Sequence, residues 1–448
     1  MGTRAQNEIG LLICCCACAA IAGERESFTL QKYPSGHETY LRLAEKIETH
    51  LKDEILAKWF PACIDAEHGG FHARFNEEFK PEKDDTRALV YQGRMTWVSA
   101  QIAMRYPAMA ATYKGYVRHG VKFLRDVMWD AECGGLFFLL NADGKLGVVG
   151  GEKHAYGIAF GMYALAAAYR ATGDPDALEL AQRTFKWFDK HAHDGDNGGY
   201  FEALTREGQP ILSPPSPQKT RDLIWTQYGY KSMNSHIHLL EALTELHAAW
   251  PDGKVEDRLE EVFRIVRDKI VVPPGCMNLY FTPDWRAVPD HDSFGHDVET
   301  AFLLIEAAEA LGKKHDEKTL AVARSLVDHA LDFGWDKENG GFFDKGSAFG
   351  AAYGLEKIWW TQAEGLNALL LMHENFGKET PRYFEAFLKQ WEFIWNFQAD
   401  HRNGEWYEMV SREGVATPGK AKGQNWKAAY HNGRALLNTS RMLKEMDK

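Results

Sequence analysis

The chain has 448 residues, of which 45% are apolar and 12% aromatic, enough to build a large buried core. Its formal net charge of −11 at pH 7 excludes the basic face that phosphate binding requires, so we expect no nucleic-acid partner. Four of the seven cysteines lie in the first 20 residues, and the others are too scattered for a disulfide framework or a metal cluster.

The first segment in chain order, residues 1–23, resembles a secretory signal peptide. Arg4 precedes a short apolar run, and the small residues Ala20 and Ala22 near its end are typical of a cleavage site. The run is too short for a permanent transmembrane anchor. We therefore predict a periplasmic or secreted protein if this segment is a true signal peptide and a cytoplasmic one otherwise, with no membrane contact beyond it.

A short turn signature then recurs along the chain, in steps of 65, 64, 80, 62 and 64 residues. Four copies contain a Gly-Gly pair, which permits the positive φ of a tight turn, and β-prone residues follow. Each copy therefore predicts a β-hairpin. The copies are Gly69-Gly70-Phe71, Gly134-Gly135-Leu136, Gly198-Gly199-Tyr200, Asn278-Leu279-Tyr280, Gly340-Gly341-Phe342 and Gly404-Glu405-Trp406.

Between the turns the sequence is helix-patterned, and each unit consists of an outer helix, a hairpin and an inner helix. Six such units can close into a double-layered ring, so we predict an all-α fold, an (α/α)6 barrel of twelve helices with short β-hairpins at one end. Residues 24–448 form this single domain. The predicted helices cover residues 37–65, 86–105, 108–130, 154–170, 175–191, 233–250, 254–271, 295–311, 316–333, 358–375, 379–398 and 426–446.

The longest irregular segment is 205–230, which accounts for the one 80-residue step. Long loops in compact domains are usually functional or mobile. A lid or substrate-facing loop and a plain surface excursion are both open interpretations.

Polar and aromatic residues concentrate in the first turns of the even-numbered helices. Because these turns all follow hairpins, they share one end of a closed barrel, and we expect them to line one pocket between the inner helices. The candidates are Arg94, Trp97, Asn234, His236, His238, His296, Glu299, Trp360, Glu364, Trp426, His431 and Arg434.

Helical spacing separates these candidates. His236 and His238 are two residues apart and point to opposite sides, so at most one faces the pocket, which argues against metal chelation by the pair. His296 and Glu299 are three apart and share a face. Two histidines on opposite helices could remove a proton from a substrate carbon and return one to its other face. We expect no cofactor and no metal.

Five segments resemble the N-acylglucosamine 2-epimerase superfamily, and most closely its cellobiose (mannobiose) 2-epimerase branch. The family has an (α/α)6 barrel and epimerises a reducing-end sugar at C2 through ring opening and a cis-enediolate. With the hairpins, the resemblance covers residues 38–446. The segments are 91–97 (YQGRMTW), 233–242 (MNSHIHLLEA), 293–300 (SFGHDVET), 359–368 (WWTQAEGLNA) and 426–435 (WKAAYHNGRA).

The resemblance implies roles for individual residues. His296 and His431 are the implied acid/base pair, and Glu299 supports His296. His238 assists ring opening with Asn234 nearby. The resemblance also implies contacts with the substrate: Arg94 binds the O1/O2 region, and Trp360 and Trp426 pack against the sugar. We also predict that Glu364 binds substrate.

One residue departs from the cellobiose branch, which usually carries a proline where this chain has Ala429. A monosaccharide such as mannose, glucose or N-acetylglucosamine therefore stays open as the substrate, as does an aldose–ketose isomerase of the same superfamily. Three further alternatives are a glycoside hydrolase using Asp297, Glu299 and Glu364, a non-catalytic sugar-binding or partner-binding barrel, and a metalloenzyme using His296 and Glu299. We expect a monomer or a homodimer.

Overall fold

A computed structural model describes residues 27–29, 37–83, 85–147, 149–347 and 350–446. Residues 1–23 lie outside this part, so the signal peptide stays a prediction. Within the described part, no helix has the length and apolar character needed to span a bilayer.

Twelve helices, with the π-helical turns that extend four of them, make up about half of the described chain. Four odd-numbered helices continue into a π-helical turn, at Leu51–Leu56 (followed by the helical segment Ala57–Trp59), Leu124–Met128, Val266–Ile270 and Ile394–Gln398. The helices are α1 (His37–His50), α2 (Leu89–Arg105), α3 (Ala110–Phe123), α4 (Ala155–Thr172), α5 (Pro175–Ala192), α6 (Met233–Ala249), α7 (Gly253–Ile265), α8 (Phe294–Ala310), α9 (Glu317–Phe333), α10 (Trp359–Phe376), α11 (Arg382–Phe393) and α12 (His431–Glu445).

The even-numbered helices form the inner layer of a ring. Each contacts the next, from α2 to α12, and each odd-numbered helix from α3 onward packs on the even-numbered helix before it. The ring closes where α1 packs on α12 and where Arg105 of α2 donates a hydrogen bond to Asn438 of α12 (3.2 Å). Inner helix α4 is buried throughout residues 155–168, whereas outer helix α5 buries one face. The prediction of an (α/α)6 barrel is confirmed.

Two predicted helix ends are wrong by more than three residues. The first helical segment ends at Trp59 rather than at residue 65, because Phe60 is extended before Pro61. The last helix begins at His431 rather than at residue 426. Trp426 therefore lies in the preceding loop, which is held because the buried Lys427 donates to Glu405 (2.8 Å).

Short strands of two or three residues lie between the helices. Most pair neighbouring units: Thr86–Ala88 with Leu139–Asn141, Lys153–His154 with Ala203–Leu204, and Lys357–Ile358 with Met409–Val410. Two three-stranded sheets combine Lys231–Ser232, Tyr280–Phe281 and Ala287–Val288, and Asp292–Ser293, Lys345–Gly346 and Ala352–Gly354. All these ladders are antiparallel, and they join the entrances of successive inner helices.

Each Gly-Gly turn follows an outer helix and is closed by a β-bridge, as between His193 and Tyr200. Both glycines of a pair adopt positive φ, 72° for Gly134 and 75° for Gly135, which favours glycine at both positions. In the sixth turn Glu405 takes the second position with φ 63°.

The fourth predicted turn, Asn278-Leu279-Tyr280, is misplaced. The hairpin of that unit pairs Val271–Val272 with Cys276–Met277, so its turn is formed by the intervening Pro273, Pro274 and Gly275. The fourth unit thus lacks the Gly-Gly pair because it uses a different turn.

Five turns begin with an aspartate that binds a buried cation. In the second turn, Asp130 accepts hydrogen bonds from the backbone amides two and three residues later, and Lys153 contacts both Asp130 (3.0 Å) and the Gly134 carbonyl. The cation lies two residues before the inner helix in four of these units. The pairs are Asp65–Arg87, Asp130–Lys153, Asp194–Lys231, Asp336–Lys357 and Asp400–Lys422.

In three inner helices, α2, α6 and α10, the fourth residue bonds the backbone of its turn. Gln92 accepts from the Phe71 amide and donates to the Phe71 carbonyl (both 2.8 Å). His236 takes the equivalent place, because its Nε2 accepts from the Tyr200 amide (3.1 Å) while Nδ1 donates to the Ser232 carbonyl. Burial lowers the pKa of His236 to about 4, so the imidazole is neutral at neutral pH.

We expect the His236→Gln variant to fold and to resist acid better than the wild type. The folded pKa of His236 lies below its unfolded value of 6.5, so its stability contribution is complete above pH 6.5 and declines towards pH 4. The shift corresponds to about 3 kcal/mol that the wild type loses and the variant keeps. Urea unfolding at both ends of this pH range measures the difference. An exposed-site control, His315→Gln, should follow the wild type; equal pH dependence in His236→Gln would contradict the assignment.

Candidate active site

A cavity of about 190 Å³ lies where the inner helices begin. This volume is below the roughly 300–1,000 Å³ typical of sites for drug-sized ligands and suits one small ring. Eight of the nine residues to which the sequence analysis gave a catalytic or substrate-binding role line it, and so do Tyr156 and Trp359, to which it gave no role. The lining residues are Arg94, Tyr156, Asn234, His238, His296, Glu299, Trp359, Trp360, Trp426 and His431.

The two missed residues follow the same positional rule as the others. Tyr156 is the second residue of α4 and Trp359 is the first of α10. The rule that the first turns of inner helices line the pocket predicts both residues. The first turn of α4, however, contains no charged residue, so it was not recognised as part of the site.

His296 and His431 lie against the same indole. The ring centre of Trp360 is 4.7 Å from that of His296 and 5.8 Å from that of His431. The histidines come from α8 and α12, which are separated by α10. They therefore reach one cavity from two different inner helices.

His431 is oriented by a buried carboxylate. Its Nδ1 donates to Glu364 (2.6 Å), which leaves Nε2 as the free ring nitrogen. Burial, helped by the nearby charge of Arg94, lowers the pKa of His431 well below 6.5, so the imidazole is neutral at neutral pH. Glu364, which we predicted to bind substrate, thus lies behind His431 and is absent from the cavity lining.

His296 has a different partner from the one predicted. Its Nδ1 shares a hydrogen bond with the hydroxyl of Ser293 (2.7 Å), one turn earlier in the chain. Burial lowers the pKa of His296 to about 4, although the charge of Glu299 acts in the opposite direction. Glu299 therefore influences His296 through its charge, while Ser293 makes the hydrogen bond.

A single buried guanidinium joins the groups behind the cavity. Arg434 contacts Glu299 (2.5 Å), Glu364 (2.7 Å) and Glu241. Glu241 in turn accepts from Nδ1 of His238 (3.0 Å). One cation thus contacts three buried carboxylates, two of which bind cavity histidines. Burial raises the pKa of Glu241, but the charge of Arg434 and the contacts with His238 and Tyr430 together outweigh it and bring the pKa to about 2.

Arg94 is fixed by contacts from two other parts of the ring. Its guanidinium donates to the Trp426 carbonyl (2.7 Å) and to the Tyr156 hydroxyl (3.1 Å). It also lies over the ring of Phe160, 4.5 Å from the centre. A planar cation held in this way is suited to bind oxygen atoms in the cavity.

The structure separates the two histidines of α6 as their spacing predicts. His238 lines the cavity, whereas His236 is bonded to the third turn. The 205–230 loop contributes no residue to the cavity lining within the described part of the chain. Its Asp222 instead binds His154 (3.0 Å), just before α4.

Comparison with known proteins agrees with this geometry. The sequence model of the N-acylglucosamine 2-epimerase (GlcNAc 2-epimerase) family matches residues 69–435. The chain belongs to this family. The resemblance inferred from the motifs is confirmed, and with it the enzyme class, a carbohydrate epimerase.

Individual relatives match over nearly the whole chain. A cellobiose 2-epimerase of Bacteroides fragilis is 30% identical over 399 residues, which cover 88% of this chain and 98% of the relative. A D-mannose isomerase of Marinomonas mediterranea is 27% identical, with 89% and 97% covered. The solved structure of cellobiose 2-epimerase from Spirochaeta thermophila superposes with a TM-score of 0.82 at 31% identity, covering 92% of this chain and 99% of that one.

We expect Arg434→Met to destabilise the protein by about 3–5 kcal/mol, because three buried carboxylates lose their cation. Arg441→Met is the matched control on the same helix, since Arg441 is half exposed and pairs only with Glu445 within the described residues; its loss should stay within about 1 kcal/mol. Urea unfolding of both variants measures the contrast. Similar losses in the two variants would show that the Arg434 network does not support the fold.

Proposed function

We propose that this enzyme interconverts C2 epimers at a reducing-end aldose of the glucose/mannose type, free or in a β-1,4 disaccharide. His296 and His431 exchange the C2 proton through a cis-enediolate. The observation that carries the proposal is the pair of buried, neutral imidazoles against Trp360 in one cavity.

The proton transfer begins on the open-chain sugar, where C2–H lies next to the C1 carbonyl. One neutral imidazole takes the proton, and the electron pair of the C–H bond moves to form the C1–C2 double bond, leaving negative charge on O1. Returning a proton to the other face of C2 gives the epimer. When His431 takes the proton it becomes an imidazolium, and the carboxylate of Glu364 stabilises the positive charge on its ring.

The enediolate charge needs donors that are already in place. Arg94 is held by the Trp426 carbonyl and the Tyr156 hydroxyl before substrate enters. The cavity also faces the N-terminal ends of several inner helices, whose dipoles favour negative charge. Such preorganised donors stabilise a developing oxyanion without reorganisation during the reaction.

Ring opening must precede enolisation, and His238 is placed to assist it. Its Nδ1 is bonded to Glu241, so the other ring nitrogen is free to exchange a proton with the ring oxygen or the C1 hydroxyl. Asn234 lies one turn earlier on α6 and also lines the cavity; its buried Oδ1 has no hydrogen-bond donor among the described residues. A sugar hydroxyl can supply that donor.

A second cavity supports a disaccharide substrate. It has a volume of about 640 Å³ and shares Trp426 with the first. Trp426 is 40% exposed and offers a flat face between the two spaces. The other lining residues are polar, among them Arg74, Gln424 and Asn425, which suits a second sugar ring.

Incubation with mannose, glucose, N-acetylglucosamine, cellobiose and mannobiose in D₂O tests the reaction. We expect deuterium at C2 of an epimeric product, and a loss of about 10²–10⁴-fold in kcat for His296→Asn and His431→Asn. His315→Asn, at an exposed site, is the control.

Three outcomes would contradict this proposal. Release of glucose from cellobiose would indicate a hydrolase, and accumulation of a ketose without the epimer would indicate an aldose–ketose isomerase. No C2 exchange on any sugar of the set would remove the enediolate mechanism itself.

Arg74→Ala tests the second cavity, because Arg74 lines it and does not line the first. Loss of one hydrogen bond to the second ring, about 1 kcal/mol, should raise KM for cellobiose roughly five-fold. KM for mannose should not change. Steady-state kinetics measure KM for both sugars. An equal change in KM for both sugars, or no change for cellobiose, would show that the second cavity does not bind substrate.

A further inference from the structure

The fourth unit reverses the charge that the other units place before their inner helices. Two residues before α2, α4, α6 and α10 the chain carries a buried cation, at Arg87, Lys153, Lys231 and Lys357. Two residues before α8 it carries Asp292, which is fully buried. The fourth turn also has no aspartate, since Val271 begins its hairpin. The ion pair of the other units is therefore replaced by something else.

Asp292 belongs to a compact buried cluster. Asp297 on α8 is also fully buried, and His329 reaches the cluster from α9. Nδ1 of His329 is 3.5 Å from Asp292 Oδ2 and 3.8 Å from Asp297 Oδ2. One donor atom from each of the three residues lies within 4.8 Å of the others.

The carboxylates of this cluster lack compensation. None of the four oxygens of Asp292 and Asp297 has a hydrogen-bond donor among the described residues. In three other units the equivalent position is hydrogen-bonded: Gln92, His236 and Gln362 occupy the place of Asp297 and bond their turns.

We propose that Asp292, Asp297 and His329 form a structural binding site for one divalent metal ion of the zinc class. Two carboxylates neutralise a divalent cation, and a neutral imidazole adds a nitrogen ligand, so the loaded site carries no net charge in the core. Carboxylate oxygen and imidazole nitrogen are ordinary zinc ligands.

The site lies directly beneath a residue of the proposed mechanism. Asp292 precedes Ser293, which bonds His296, and His296 precedes Asp297. A metal held by Asp292 and Asp297 would fix both sides of this first turn of α8. It would replace the lysine that fixes the same point in the other units, and it takes no part in the chemistry.

The full-length protein, purified without a histidine tag or chelator, tests the site by elemental analysis. We expect one zinc ion per chain and a fall in melting temperature when a strong chelator removes it, reversed by added Zn²⁺. Replacement by Co²⁺ should give the visible absorption of a low-coordinate site. The isosteric double variant Asp292→Asn/Asp297→Asn should bind no metal, and its melting temperature should not respond to chelator.

Asp222→Asn is the matched control, because Asp222 is a buried aspartate bonded to a histidine in another cluster. It should keep the zinc. Wild-type protein that contains no stoichiometric metal and whose melting temperature responds to neither chelator nor Zn²⁺ would overturn the proposal and leave a proton shared by the two carboxyl groups. Metal retained by the double variant, or lost from Asp222→Asn, would also overturn it. Metal content and melting temperature are read independently of the C2 exchange assay, so failure of the metal proposal and failure of the proposed epimerase function are distinguishable.

Discussion

The site depends on buried ion pairs that, in four of the six units, tie a tight turn to the start of the next inner helix. Lys153 binds both Asp130 and the Gly134 carbonyl two residues before α4. A buried ammonium without its partner costs several kcal/mol, so the pair is compatible only with a formed turn and a helix that starts at that residue. Repetition of this arrangement sets the inner helices at one height, and their first turns consequently face one cavity.

A second layer of charge lies one helical turn deeper. Arg434 gathers Glu241, Glu299 and Glu364, and two of these carboxylates bind His238 and His431. The histidines therefore owe their orientation to residues that do not touch the cavity. Because Arg434 serves several carboxylates at once, the histidines of α6 and α12 are coupled through one cation although their helices are distant in sequence.

Much of the fold and of the cavity lining could be predicted from the sequence, because both follow from periodicity. The turn spacing gives six units, and the first-turn position gives eight of the lining residues. Hydrogen-bond partners on different helices could not be predicted. Glu364 and His431 are 67 residues apart, and helical spacing shows only which residues share a face of the same helix. Ser293 was missed as the partner of His296 because it lies before α8 rather than on it. Trp426 was wrongly predicted to lie in a helix. Its loop is fixed by a contact with the distant Glu405, which the local sequence does not show.

The fourth unit differs from the others in its turn and in the charge before its inner helix, and these two differences are related. Its turn has no Gly-Gly pair and no aspartate, so a lysine before α8 would have no partner there. Asp292 occupies that position and faces Asp297 and His329 instead. The helix that carries His296 is thus the one whose start is fixed without the common ion pair. Whatever neutralises the two carboxylates, proton or metal, also determines how firmly Ser293 and His296 are held.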